Sequence, residues 1–240
     1  MLKSLFVRFL TRKSPTNIIE QAPLEPSEST VPDSPRGFGY KCNWFAVKTT
    51  ETDELAEILG LTEMAPGNWE HGIHHAYRDK VFISPPVDGW TFIIGTDLPF
   101  PDNDASISII KAMLIDLSTN FGQAQYFGTY RVSGCDSWMK AANGKIERAY
   151  AVADGTNTII EGEITEAEKK YNLFNSLSEE YNKDPNYHDR TDIDYPDESM
   201  TMEIAEAWGI SPIDLEMRTE IASRTGILGY CRNLKHLYGE

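Results

Sequence analysis

The residues best able to do chemistry are a histidine triplet, an oxygen-rich loop and two Ser/Lys pairs. His71, His74 and His75 fall at i, i+3 and i+4, which would put three imidazoles on one face of a helix, as a metal-ligand set requires. Gly72 within the run and Pro66-Gly67 ahead of it favour a loop, and no cysteine or acid stands at ligand spacing, so no metal is assigned. His188 to Glu198 (His-Asp-Arg-Thr-Asp-Ile-Asp-Tyr-Pro-Asp-Glu) repeats oxygen donors as a calcium loop does, but it lacks the glycine of that loop and is read as a solvated acidic turn. Ser108-Ile-Ile-Lys111 and Ser137-Trp-Met-Lys140 satisfy Ser-x-x-Lys without the Ser-Asp-Asn or Lys-Thr-Gly partner that the chemistry needs. Nor does the sequence hold a Gly-x-Ser-x-Gly elbow, a Walker loop, a His-Glu-x-x-His or a Gly-x-Gly-x-x-Gly. No catalytic residue and no cofactor are assigned.

Charge carries more information. The 37 acidic residues against 22 basic ones give a net −15 over 240 residues, which opposes phosphate backbones and anionic membranes and favours cationic partners. The excess is concentrated. Glu161 to Glu206 holds fourteen acids (Glu161, Glu163, Glu166, Glu168, Glu179, Glu180, Asp184, Asp189, Asp192, Asp194, Asp197, Glu198, Glu203 and Glu206) and four bases (Lys169, Lys170, Lys183 and Arg190), a net −10. Two readings compete for such a run: a solvated helix and loop, or a docking surface. Glu203-Ile-Ala-Glu-Ala-Trp-Gly-Ile-Ser-Pro212 resembles the first helix and turn of a helix-turn-helix. The helix that should read DNA, however, opens with Asp214, Glu216 and Glu220 beside only Arg218, so a packed helical hairpin is expected and nucleic acid is not a partner.

The elements that would position these residues follow from periodicity. Met1 to Lys13 is a basic amphipathic arm with Leu2, Leu5, Phe6, Phe9 and Leu10 on one face, able to touch a membrane surface or a partner. It is read as neither a secretory signal nor a membrane span. Residues 14–39, rich in Pro, Ser and Thr, are expected to be a linker, and residues 40–240 a single domain. Within that domain a strand at Asn43–Lys48 and a helix opened by Thr52 or Asp53 precede a hairpin of Lys80–Ser84 with Gly89–Gly95. A helix at Asp104–Phe121, stopped by Gly122, leads to strands at Gln125–Val132 and Lys145–Val152. The order predicts an α+β fold, an antiparallel or mixed sheet with helices packed on one face. The C-terminal part, Met202 to Tyr238, is expected to be helical, with Ser211-Pro212-Ile213-Asp214 opening its second helix.

Cys42, Cys135 and Cys231 form no Cys-x-x-Cys pair and are expected to be buried thiols of a cytoplasmic protein. Most aromatics lie on predicted strands and are read as core. Trp69 and Trp138, outside clear strands, are the two expected to line a groove.

Three phrases together resemble a group of bacterial proteins: Val81-Phe-Ile-Ser-Pro-Pro-Val-Asp-Gly-Trp-Thr-Phe-Ile-Ile-Gly95, Phe121-Gly-Gln-Ala-Gln-Tyr-Phe127 with Arg131 and Trp138, and Ala205-Glu-Ala-Trp-Gly-Ile-Ser-Pro212. That group is similar to immunity proteins paired with secreted antibacterial toxins, including type VI secretion effectors. The resemblance spans about Trp44 to Leu215, carries no catalytic residue, and implies a cognate toxin as partner. On charge, the contact surface is expected at Asp189, Asp192, Asp194, Asp197 and Glu198 with Trp69 and Trp138. Two rival readings have their own signatures. A hydrolase or transferase would bring together two or more of Glu147, Asp136, Arg131 and His75, whereas an adaptor would show a broad apolar patch and self-associate.

Overall fold

A computed structural model describes residues 30–231 and 234–239. The basic arm of residues 1–13 and the first part of the expected linker lie outside them. Among the described residues nine strands form one antiparallel sheet: Cys42–Val47 (β1), Thr62–Gly67 (β2), Val81–Ile83 (β3), Thr91–Gly95 (β4), Gln123–Tyr130 (β5), Cys135–Ala142 (β6), Lys145–Ala153 (β7), Thr156–Gly162 (β8) and Gly226–Tyr230 (β9). Their spatial order is β2-β9-β3-β4-β1-β5-β6-β7-β8. The expected β3–β4 hairpin forms, with Phe82 opposite Ile94, and so do the α+β architecture and the β5 and β7 strands.

Alternation along each strand sorts the side chains into two different faces. Trp44, Phe92, Phe127, Trp138 and Tyr150 point to one side, where Trp44 stacks on Phe127 and Trp138 on Tyr150. The other side carries Ala124, Ala141, Ala149 and Ala151 with Phe45, Ile93 and Met139. Helix Asp104–Phe121 (α3) lies against this smoother side through Ile110, Met113, Leu114 and Leu117, because alanines let a helix approach closely. Its bounds agree with the sequence, and Gly122 ends it at φ 84°, a conformation that favours glycine. Helices Thr52–Ile58 (α1) and Leu234–Tyr238 (α6) share that side. Trp69–Ala76 (α2) and Glu198–Trp208 (α5) cover the aromatic side together with the otherwise largely irregular chain from residue 163 to 225, which carries the short helix Glu179–Lys183 (α4) and contributes Phe174, Tyr187 and Leu215. Helices therefore pack on both faces, not on one.

Three further expectations are corrected. The His71–His75 segment is helical. Asn68 Oδ1 accepts from His71 N (3.0 Å), while Asp33 accepts from Trp69 N (2.6 Å) and Glu70 N (3.0 Å), so two side chains cap one helix start. Gly72 is there for close approach and not for a turn, since a Cβ would stand 2.4 Å from the Phe82 ring. The C-terminal part is mostly non-helical. Past α5 the Ser211-Pro212 step opens only a 3-10 turn at Leu215–Met217, and Gly226–Tyr230 becomes a central strand between β2 and β3. Gly226 permits that insertion, because a Cβ would meet Ile83 O at 2.2 Å. The helical hairpin read from the helix-turn-helix resemblance does not form.

The folded body also reaches back before Tyr40. Phe38 is buried edge-on against Trp44 and Phe92, its amide donates to Pro212 O (3.2 Å), and Tyr77 OH accepts from Gly39 N (3.1 Å) while donating to Tyr40 O (2.9 Å). Residues 33–39 are thus a strap across α2 and not free linker. Phe38→Ala should lower the unfolding free energy by about 3 kcal/mol, the loss expected for an aromatic ring removed from a packed core. A urea midpoint equal to that of the parent would show the strap to be undocked.

Candidate functional site

Beyond β8 the chain turns back over the aromatic side of the sheet, and one buried ion pair fixes where it turns. Arg148 on β7 donates from Nε to Glu168 Oε1 (2.8 Å), with Nη2 at 2.7 Å, and both side chains are almost wholly buried. Trp138 Nε1 donates to the same oxygen (2.9 Å), and Glu168 Oε2 accepts from Thr165 N (2.9 Å) and Thr165 Oγ1 (2.6 Å). Burial alone would raise the Glu168 pKa, but these donors outweigh it and hold the carboxylate below its ordinary value. Arg148 Nη1 closes the set on the carbonyls of Gly162 (3.2 Å) and Glu161 (3.4 Å).

Farther on, the acidic segment is built on an aromatic knot. Phe174 is fully buried; Tyr195 stacks on it at 4.7 Å, and Tyr181, Tyr187 and His188 surround it. His188 is gripped between two phenols, Tyr181 OH 3.1 Å from Nε2 and Tyr195 OH 3.1 Å from Nδ1. Backbone bonds zip residues 172–174 to 192–194: Asp194 N donates to Asn172 O (2.8 Å) and Phe174 N to Asp194 O (3.0 Å). Rings that keep one edge wet and one buried form a rigid platform, and Tyr195 remains 40% exposed on it.

The predicted contact residues fall in three places. Asp189, Asp192 and Asp194 are exposed around this knot; Asp192 pairs with Arg190 (2.6 Å), and Asp194 accepts from Asn172 N (2.7 Å). Asp197 caps α5 by accepting from Met200 N (2.8 Å), and Glu198 lies 4.0 Å from Arg131 with its side chain largely covered. Trp69 and Trp138 are completely buried, Trp138 in the middle of β6, so neither lines a groove. The exposed rings of this face are instead Tyr195 and His188, with Tyr181 half-buried beside them. Tyrosines recurring at 181, 187 and 195 in an otherwise polar run were the available signal.

Much of the negative charge is internally matched. Nine of the fourteen acids pair with a cation: Glu161, Glu166, Glu168, Glu179, Glu180, Asp192, Glu198, Glu203 and Glu206. Lys111, Arg131, Arg148 and Arg218 enter from outside the segment, bringing its local balance from −10 to −6. Among the described residues no Lys or Arg pairs with Glu163, Asp184, Asp189, Asp194 or Asp197, and these define the negative field that a partner would meet.

The other chemical candidates are dispersed. Lys140 pairs with Glu147 (3.1 Å), while Ser137 is buried and donates to Gly128 O (3.3 Å) on the opposite side of the strand. Lys111 reaches Glu161 (2.6 Å) and not Ser108. His75 lies 3.8 Å from Asp79 on α2, and no two of Glu147, Asp136, Arg131 and His75 are hydrogen-bonded to each other. Among the described residues, no three His, Cys, Asp or Glu side chains are arranged to hold a metal ion, and no helix is long and apolar enough to cross a membrane. Comparison with protein-family models, with curated proteins and with solved structures gave no match.

Among the described residues, Asp136 is the buried carboxylate without a matching cation. Burial first, then the charges of Asp197 and Glu198, push it up to about 7 against one long hydrogen bond from Thr201 Oγ1 (3.5 Å). An unfolded aspartate titrates near 3.9, so between about pH 4 and 7 the folded state holds a proton that the unfolded state has released, and stability falls as pH rises through that window. Glu168, held low, acts only at more acid pH. Asp136→Asn should flatten the slope between about pH 4 and 7 and raise stability at pH 8 by up to about 4 kcal/mol. Parallel stability curves for the two proteins would contradict the assignment.

Proposed function

We propose that this chain is a binding protein that neutralises a basic partner by docking on it: an immunity protein that occludes a cognate secreted antibacterial toxin in the cytoplasm of a bacterium. The observation that carries the reading is the acidic segment itself, held on a rigid aromatic base with Asp184, Asp189 and Asp194 unmatched by cations around the exposed Tyr195. A negative field of this kind accelerates encounter with a cation-rich protein, and a desolvated aromatic centre supplies residence time. A nuclease is the kind of toxin that fits, because a protein evolved to grip phosphates presents lysines and arginines that carboxylates can cover. The resemblance of the β3–β4 hairpin, the β5 strand and the α5 turn to immunity proteins agrees with this reading. So do three free cysteines, with burial pushing the Cys42 and Cys231 thiols up to about 12, as suits a reducing compartment.

Asp184, Asp194 and Asp197 all accept from backbone amides, Asp184 Oδ1 from Asn186 N (2.9 Å), so lysine at these positions would also cost local structure, whereas asparagine keeps the acceptor. Asp189→Lys, combined with Asp184→Asn, should slow association with the basic product of the neighbouring reading frame at least about tenfold at low salt and flatten the dependence of its rate on ionic strength. Stopped-flow mixing over a salt series reads both. An unchanged rate and an unchanged slope would remove this face from the interface, and failure of the two proteins to co-purify would remove the partner.

A further inference from the structure

The histidine run, expected in a loop, lies on helix α2, and there its spacing acquires a meaning. Capping by Asn68 and Asp33 starts the helix, and Trp69, Gly72 and Ala76 bury one side of it. His71 and His75, one turn apart on another side, are left half-buried with their rings 4.5 Å apart and inclined at 62°. Two imidazoles that share an ion at about 2.0–2.1 Å hold their centroids about 4.5–5 Å apart, so this pair already has the spacing of a chelate.

The chain that leaves α2 supports one of the two rings. His75 O accepts from the amides of Arg78 (3.0 Å), Asp79 (3.2 Å) and Lys80 (3.2 Å), which folds the chain tightly around the last turn. Asp79 Oδ1 thereby comes to 3.8 Å from His75 Nδ1, and Asp79 Oδ2 accepts from Tyr230 OH on β9 (3.3 Å). His75 Nδ1 itself is buried and has no hydrogen-bond partner. A ring whose Nδ1 is turned toward a carboxylate keeps Nε2 for a ligand bond, the arrangement that orients metal-binding imidazoles.

We propose that His71 and His75 form a two-histidine clamp for a divalent transition-metal ion that favours imidazole, such as zinc, nickel or copper, with Asp79 as the positioning residue for His75 and water in the remaining coordination positions. Two protein ligands suffice for such a clamp, and it needs none of the three-residue clusters that are missing among the described residues. Burial first, then the charge of Lys80, holds the His71 pKa below its ordinary value; burial, then His71 and Lys80, does the same for His75. Both rings are therefore neutral ligands at pH 7. Lys80 opposes a cation, but its ammonium lies over the Tyr230 ring (5.4 Å), and Asp79 counters it at His75. His74, the third of the run, has the Arg78 guanidinium beside it, which donates to His74 O (2.7 Å), and is left out of the clamp. The site is separate from the acidic segment and does not depend on the partner proposed for it.

The test adds Ni2+ to the full chain, because nickel favours imidazole and is paramagnetic. In proton NMR spectra of the parent protein the ring signals of His71 and His75 should broaden first and together, ahead of those of His188 and His236, so this readout needs no variant. In calorimetric titrations at about pH 7.5, His71→Asn and His75→Asn should each weaken binding at least about tenfold, Asp79→Asn roughly tenfold, and His74→Asn less than about twofold. Lowering the pH to about 5 should abolish binding, as protons displace the ion from both rings. Simultaneous broadening of all five histidines, or equal affinity in the parent and His71→Asn, would overturn the clamp and leave nickel on scattered single side chains. A loss in His74→Asn as large as that in His71→Asn would also overturn the pair assigned here.

Discussion

The placement of the segment that follows β8, residues 163–206, depends on the contact between Arg148 and Glu168. This largely polar segment is held against the sheet by scattered apolar side chains such as Phe174, Tyr187 and Ile193, and it starts by burying a carboxylate at considerable desolvation cost. That cost is met because each oxygen of Glu168 is saturated by donors from β6, β7 and the turn at Thr165, and Arg148 in turn binds the carbonyls where β8 ends. Such a pair adds little net stability compared with apolar residues of the same shape. Breaking one side of it is another matter, costing about 3–5 kcal/mol, so it acts as a register pin more than as a source of stability.

The pin positions the acidic face. Tyr150, stacked on Trp138, donates from its hydroxyl to Phe174 O (2.8 Å), which carries the fixed geometry from the sheet into the aromatic knot. From Phe174 it passes through Tyr195 and the backbone ladder at 172–174 and 192–194 to the cap of α5 at Asp197. The carboxylates that remain unmatched are thus held in fixed relative positions, which lowers the ordering cost of binding. Helix α5 belongs to the same body, since Lys170, two residues from Glu168, pairs with its Glu203.

What was legible in the sequence depended on how local the cause was. The bounds of α3 follow from its own apolar period and from Gly122, and the β3–β4 hairpin from the prolines of its Pro85-Pro86-Val87-Asp88 connection, which the structure closes with positive φ at Asp88 and Gly89. The strands β2, β8 and β9 and the burial of β6 were hidden because their neighbours supply the reason. Gly226 and Gly229 weaken the strand signal of β9 while letting it lie between β2 and β3. Polar residues in β6 obscure a strand whose Trp138 is buried because a remote glutamate satisfies its indole. The acidic run was visible as composition, but nothing in one dimension shows that four cations from outside it come to neutralise part of it. The aromatic knot was concealed likewise, because its members are separated by loops.

The most direct test of the central claim is native-state hydrogen exchange in Glu168→Gln, which leaves Arg148 buried without its charge partner. Amides from residue 163 to 206 should lose protection together, by roughly a hundredfold or more, while those of α3, β1 and β4 keep theirs, as expected when one cooperative unit opens on its own. Unchanged protection across that segment, or an equal loss throughout the sheet, would contradict the role assigned to the pair.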